Sequence, residues 1–183
     1  MKTVKFHKTE CGVEMLLNVL HGDTLSEKYL ERDTYNTDFF EIIVFKTAQG
    51  SLILNQQKIT IADNTIIFIS PFQKRKWILE KEGLVFTVLV FQENFLNDFF
   101  SDKFFTYRLL YFYQLNYPLH LIVEDEQLRK ALEQLMEIKA ELVDSKKDSI
   151  HIKRSLTYYV LLKFNRIYAE RNNLSIERAE NNY

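Results

Sequence analysis

Between residues 38 and 91 the chain is written as short apolar runs, at 39–45, 51–55, 59–62, 66–69, 77–80 and 84–91, each closed by a polar turn. None is long enough for a helix of its own. Runs of four to eight residues rich in Val, Ile, Phe and Thr instead have the length and composition of strands. Six strands spaced this closely favour a barrel or a double sheet. Both faces of 39–45 read as buried, since Glu41 is the only charge in it. Ile59 and Ile61 share a face, Asp63-Asn64 is a tight turn because Asn tolerates positive φ, and Lys81-Glu82-Gly83 is a charged hairpin turn.

Around this stretch the signals are weaker. Residues 13–20 read as a leading strand ended by His21-Gly22-Asp23, and 24–37 as a polar loop. Residues 92–100 suggest a short helix, while 104–112 is aromatic-rich and its element type stays open. Tyr117-Pro118 breaks the chain before a last strand at 119–123.

From Glu124 the period changes. Acidic residues at the start, and Leu128, Leu132, Leu135, Ile138 and Leu142 at helical spacing, make an amphipathic helix whose acids suit its positive end. Asp148 or Ser149 can cap a second helix, in which Ile152, Leu156, Tyr159, Val160, Leu161, Leu162, Phe164, Ile167 and Tyr168 cover most of the circumference. Such a helix needs neighbours on more than one side. Either it packs deeply within one chain, or it touches the barrel or the first helix on one face and a second subunit on another. The second reading makes Leu156, Tyr159, Val160, Leu161, Phe164, Ile167 and Tyr168 the dimerisation residues. The fold class expected is mainly β with C-terminal helices (α+β). It divides into a barrel over 1–123, an antiparallel helical hairpin over 124–173, and a polar tail or linker over 174–183.

At 183 residues, one core is expected rather than two. A formal charge of −1 gives no general attraction to phosphate backbones, so these residues are not expected to bind DNA by themselves. The helical pair is no helix-turn-helix either, because its connection lacks glycine and its second helix is too apolar for a groove. Cys11 is the only cysteine, which fits a reducing compartment, and no segment reads as a signal peptide or a bilayer span; the cytoplasm is the expected location. His7, His21, His120 and His151 are scattered, so no metal site is expected and no cofactor is called for. Ser70-Pro71 lacks a hydrolase elbow, and Cys11 has no activating neighbour in sequence. Glu41 is a carboxylate in an apolar strand, where burial raises its pKa. Pairing with a Lys or Arg is favoured over a catalytic role for it, and no enzyme activity is expected.

Strand alternation points to a ligand pocket. If Glu41, Ile43, Phe45 and Thr47 share one face and Trp77 opposes them, Phe86 and Val88 complete an apolar box, with Arg75 and Lys76 offering a cation at its mouth. The alternative is a barrel filled by its own rings.

The order of Phe39-Phe40-Glu41-Ile42-Ile43-Val44-Phe45 before Gln49-Gly50, of Ile67-Phe68-Ile69-Ser70-Pro71-Phe72-Gln73 before Trp77, and of Val90-Phe91-Gln92-Glu93-Asn94-Phe95-Leu96 before the helices resembles the N-terminal half of AraC-type (arabinose-operon regulator) bacterial transcription factors. The resemblance covers roughly residues 38–169. It implies a cupin-like antiparallel barrel (double-stranded β-helix) that binds a small organic effector, a sugar or small organic acid among the candidates. It also implies a homodimer through the helices, a segment before Tyr35 that closes over the pocket, and DNA contact through a domain missing from this chain. Effector contacts would lie just before Gly50, at the aromatic after the Pro71 turn, and on the strand ending at Phe91. Two departures stand out: Asn64-Thr65 replaces the family's Gly-Asp, and Arg75 stands where a His often follows the Pro. Two alternatives remain open, a metal-independent cupin enzyme acting on a sugar or small acid and a stand-alone dimeric interaction protein.

Overall fold

The computed structural model of the chain describes residues 2–6, 15–25, 33–97, 102, 104–113 and 116–174. His7, Cys11 and the tail at 175–183 lie outside the described residues. Among the described residues ten strands are arranged in two five-stranded sheets. One runs in the order β1 (Lys2–Val4), β3 (Tyr35–Thr37), β8 (Arg75–Leu79), β5 (Gly50–Leu54), β6 (Gln57–Ile61). The other runs β10 (His120–Ile122), β7 (Thr65–Ile69), β4 (Phe40–Thr47), β9 (Val85–Phe91), β2 (Met15–His21). β1 and β3 pair in parallel and the other pairs are antiparallel. This is the cupin-like barrel with C-terminal helices that the sequence implied.

All six expected strands between residues 38 and 91 are present, as are the leading strand β2 and the last strand β10. β3 departs from the expectation of a loop over 24–37. Its sequence, Tyr-Asn-Thr, is too short and too polar to show a period, yet all three residues are buried, because β1 and β8 flank them. The expectation that residues before Tyr35 form a cover also changes for β2. That strand pairs along its whole length with β9, from Met15 opposite Phe91 to His21 opposite Val85, so it is part of the wall.

Turn chemistry fixes the hairpins. Asn55 and Gln56 both have positive φ, 46° and 80°, as a two-residue hairpin that follows strand twist requires, and Asn64 at φ 60° makes the next bend. At Gly50 the reason is contact: a Cβ would lie 2.3 Å from the Ile78 carbonyl oxygen, so only glycine lets β5 approach β8 this closely.

The helical part begins with α1 (Glu93–Asn97), a 3-10 turn (Phe105–Arg108) and α2 (Leu110–Tyr113), which resolve the aromatic-rich stretch as two short helical pieces. α3 (Asp125–Val143) and α4 (Ser149–Arg171) follow. Gln127 accepts a hydrogen bond from the Glu124 backbone N–H at the start of α3, and Asn64 donates to Asp125 at 2.6 Å, tying the helix to the turn before β7. Among the described residues no helix is long and apolar enough to cross a membrane.

Alternation in the central sheet sends Phe40, Ile42 and Val44 of β4, Ile66 and Phe68 of β7, and Leu89 and Phe91 of β9 outward into a core shared with the helices. Their neighbours Ile43, Phe45, Ile67, Ile69, Phe86, Val88 and Val90 point inward, where they meet Leu52, Leu54, Ile59, Ile61 and Trp77 of the other sheet. The central sheet is thus a single wall between two cores. The other sheet turns its second face to solvent, with Ile53 and Ile78 exposed.

Candidate functional site

The barrel interior is mainly apolar, and its charged cluster sits at one end. There Arg75, the first residue of β8, points inward and is 1% exposed; from the facing sheet comes Glu41 of β4, 7% exposed. Arg75 Nη2 donates to Glu41 Oε1 at 2.6 Å and to Thr37 Oγ1 at 3.1 Å, so an ion pair bridges the two sheets. The guanidinium lies 4.9 Å from the centre of the Tyr35 ring, and the Tyr35 hydroxyl accepts from Trp77 Nε1 at 3.0 Å. Phe45 packs 5.3 Å from Phe86 and 6.2 Å from Trp77 and closes the apolar side.

Two features set this cluster apart from ordinary core. First, Arg75 Nε and Nη1 are buried and have no hydrogen-bond partner. A buried cation with unmet donors is costly, and native structures rarely leave one without a ligand or other role to explain it. Second, burial drives the Glu41 carboxyl upward in pKa against the lowering pull of the Arg75 charge. Carboxylate and guanidinium are therefore set against each other in buried surroundings.

Of the pocket residues named from sequence, Glu41, Ile43, Phe45, Trp77, Phe86 and Val88 are buried and converge on the interior, and Arg75 lies deeper than the mouth position expected for it. Thr47 does not join them. The pairing register shifts between Phe45 and Thr47, which breaks the alternation, and Thr47 is exposed, as is Lys76. It lines an outer groove with Lys46, Asp63, Arg129 and Met136 instead. The pairing of Glu41 with a basic residue, favoured from sequence, is observed.

Sequence reasoning missed Tyr35 and Thr37, because three residues carry no periodicity. It also undervalued His120, which sits opposite Ile67 and so shares the inward face of the sheet. Its Nδ1 is buried without a partner, and burial lowers its pKa. At the same end of the barrel Phe72 is 64% exposed with φ 64°, a left-handed conformation unfavourable for a bulky residue, held by its N–H donating to the Thr37 carbonyl at 2.7 Å.

On the helical side, α4 buries one side within this chain and leaves a stripe with Ile152, Tyr159, Lys163 and Arg166 exposed. Val160, Leu161, Phe164 and Tyr168 are each 1% exposed or less, packed against the central sheet, α2 and α3. Tyr111 donates to the Leu161 carbonyl at 3.0 Å and Tyr168 to that of Pro118 at 2.8 Å. Tyr159 is exposed, and Leu156 and Ile167 are partly so. Between α3 and α4 runs a groove of about 340 Å³ whose lining includes Lys130, Tyr159, Lys163, Arg166 and Ile167.

Among solved structures, apo ToxT K231A from Vibrio cholerae strain SCE256 matches with a TM-score of 0.50 and 13% identity, over 88% of this chain and 58% of that one. The chain thus spans under two thirds of the ToxT chain. The AraC-like transcriptional activator CuxR matches at a TM-score of 0.41 and 9% identity, covering 68% of this chain and 42% of its own. A cupin protein from Bacteroides fragilis matches at 0.32 and 15%, covering 43% of this chain and 64% of its own. No family model and no curated protein matches the sequence. At 13% identity the likeness to ToxT is one of fold, and the fold is the one implied by the resemblance to AraC-type regulators.

Proposed function

We propose that this chain is the ligand-sensing and dimerisation domain of an AraC-type transcriptional regulator, which takes a small organic effector into its barrel. DNA would be contacted by a domain outside these residues. The observation that carries this reading is the buried guanidinium of Arg75 with unpaired nitrogens, set in the interior of a barrel whose wall is also the floor of the helical pair. A barrel that served only as filler would gain nothing from such a group.

The wall supplies the means of transmission. Each strand of the central sheet has alternate residues in the two cores, so a ligand that moves Glu41 or Ile43 also moves Phe40, Ile42 and Val44 beneath the helices. An effector shifts the balance of two arrangements only by its difference in affinity for them, so the arrangements must differ at this wall. The β1–β3 ribbon is the candidate cover, since β3 is registered to β8 through the single pair Tyr35 and Arg75. Dimerisation would use the side of α4 bearing Leu156, Tyr159 and Ile167, with Val160, Leu161, Phe164 and Tyr168 acting from beneath.

A metal-independent enzyme draws less support, because the Glu41 carboxylate is engaged by Arg75 rather than free as a base. The test is a thermal-shift screen of sugars, small acids and neutral amphiphiles against the whole chain and Trp77→Ala. Stabilisation of the parent but not the variant supports a barrel ligand; a flat response across the screen counts against it. Light scattering of Tyr159→Glu beside the parent tests the dimer, with a folded monomer expected from the variant. A parent that is monomeric at high concentration would remove dimerisation from the reading.

A further inference from the structure

The sensing reading says that something enters the barrel, and this inference rests on it; the charges around Arg75 say what that molecule carries. Nη2 of Arg75 is used by Glu41 and Thr37, while Nε and Nη1 are buried with no acceptor. Guanidinium groups pair best with oxyanions, whose oxygens match the fork of N–H donors. Glu41 is an oxyanion already present, and only its Oε1 makes a hydrogen bond to Arg75.

A second anion would leave one buried positive charge facing two negative ones. In a site of low dielectric that excess is removed by protonation rather than tolerated. Glu41 is placed to accept the proton. Its register partners on β7 and β9 are Ile69 and Val90, both apolar. From the opposite sheet it faces Arg75, with Thr37 and the Tyr35 ring beside that guanidinium. The next ionisable group on the same face is His120, one rung along and two strands away, next to Ile67. Burial raises the Glu41 pKa and the Arg75 charge pulls it back down, and an incoming anion that shares Arg75 weakens that pull.

We infer that the barrel binds an organic anion, a carboxylate or its like, through Nε and Nη1 of Arg75, and that Glu41 takes up one proton as the anion enters. The step balances: the ionised Glu41, one solvent proton and the anion become a neutral Glu41 acid beside an Arg75–anion pair. The O–H so formed is a donor that can turn toward the ligand. Occupancy would then depend on pH as well as on effector concentration.

Calorimetric titration of the whole chain with octanoate, octane-1-sulfonate and octanamide, in buffers of contrasting ionisation enthalpy at pH 6, 7 and 8, tests this. Both anions should bind with uptake of close to one proton, weakening by up to about tenfold per pH unit, and the amide should bind at least about tenfold less tightly at pH 6. The sulfonate does not protonate in this range, so uptake with it locates the proton on the protein. Glu41→Gln keeps an acceptor for Arg75 and is the variant expected to fold. It should bind both anions at pH 8 more tightly than the parent, without uptake. Binding of the anions with no proton uptake, uptake that persists in Glu41→Gln, or an amide that binds as well as the acid would each overturn the inference and leave the sensing reading standing. If none of the three probes binds while other molecules in the thermal-shift screen stabilise the chain, the inference alone falls; if nothing stabilises it, both fall.

Discussion

The two cores on either side of the central sheet are built from alternate residues of the same strands, yet they differ in how completely their polar groups are satisfied. On the helical side Phe40 stacks on Phe91 at 5.3 Å and Phe68 on Tyr111 at 4.0 Å, and the buried hydroxyls of Tyr111 and Tyr168 each reach a carbonyl. On the barrel side an ion pair crosses the interior and Arg75 keeps two unpartnered nitrogens. The outer core is what cohesion alone requires: apolar area removed from water, roughly 1.5–3 kcal/mol for each large side chain fully buried. The inner core departs from that rule at the Arg75 cluster and at His120, and a local departure in an otherwise consistent fold is where function is expected.

The largest test of this contrast lies in the outer core. Leu161 is fully buried between α4 and the barrel, so Leu161→Asp should place an unpaired carboxylate among rings and cost more than about 4 kcal/mol, enough to prevent folding of a marginally stable domain. Circular dichroism and urea titration would show loss of structure. A folded variant with only its oligomeric state changed would mean that this face is available to a partner after all.

Much of this architecture could be read from the sequence because a two-residue period needs only a few strand residues to show itself. β4 to β9 were legible for that reason, and the amphipathic α3 likewise. The helix α4 was legible as a helix but not in its surroundings: apolar residues all round require several neighbours and do not say whose. Its neighbours include α2 and the outer face of β7, which meet it through Tyr111, Phe112 and Phe68. The pocket was legible in its apolar members, which follow alternation. It failed at Thr47, because a register shift leaves no mark in composition, and at Tyr35 and Thr37, because a three-residue strand is recognised only by the partners it pairs with. Arg75 was seen as a cation near the site, but its depth follows from a partner 34 positions away, Glu41.

In the inner core the contrast predicts an effect that depends on how the pair is removed. Arg75→Ala leaves Glu41 buried without its cation and should destabilise by about 3–5 kcal/mol. Replacing both partners, Arg75→Met with Glu41→Leu, removes the charges and the unmet donors together, and should be neutral or stabilising by about 1–4 kcal/mol. Urea denaturation of the single and double variants decides. A double variant as unstable as the single one would mean that the cluster is structural and would weaken its assignment as a site.

The same pair gives a pH signature. Glu41 has a folded-state pKa above its ordinary 4.5, so the native chain holds that proton more tightly than the unfolded one. Its contribution to stability is therefore fully present below about pH 4.5 and is lost as pH rises through the folded value, at no more than about 1.4 kcal/mol per pH unit. Glu41→Gln lacks this titration, so the stability of the variant relative to the parent should improve as pH rises from about 4.5 to the folded value and stay level above it. If instead the parent gains on the variant across that interval, the Arg75 charge outweighs burial and the carboxylate is ionised throughout.

The smallest effect is expected where the outer core makes its own polar contact. Tyr111 is fully buried, burial pushes its phenol well above the usual range, and its hydroxyl donates to the Leu161 carbonyl at 3.0 Å. Tyr111→Phe deletes one donor, keeps the ring stacked on Phe68, and leaves a neutral carbonyl within α4 rather than a stranded charge. The loss should be about 1 kcal/mol, with ligand response unchanged. A thermal melt would register a drop of a few degrees. A loss as large as that of Arg75→Ala, or a changed ligand response at unchanged stability, would erase the distinction between the two faces and make the Tyr111–Leu161 contact part of the route from barrel to helices.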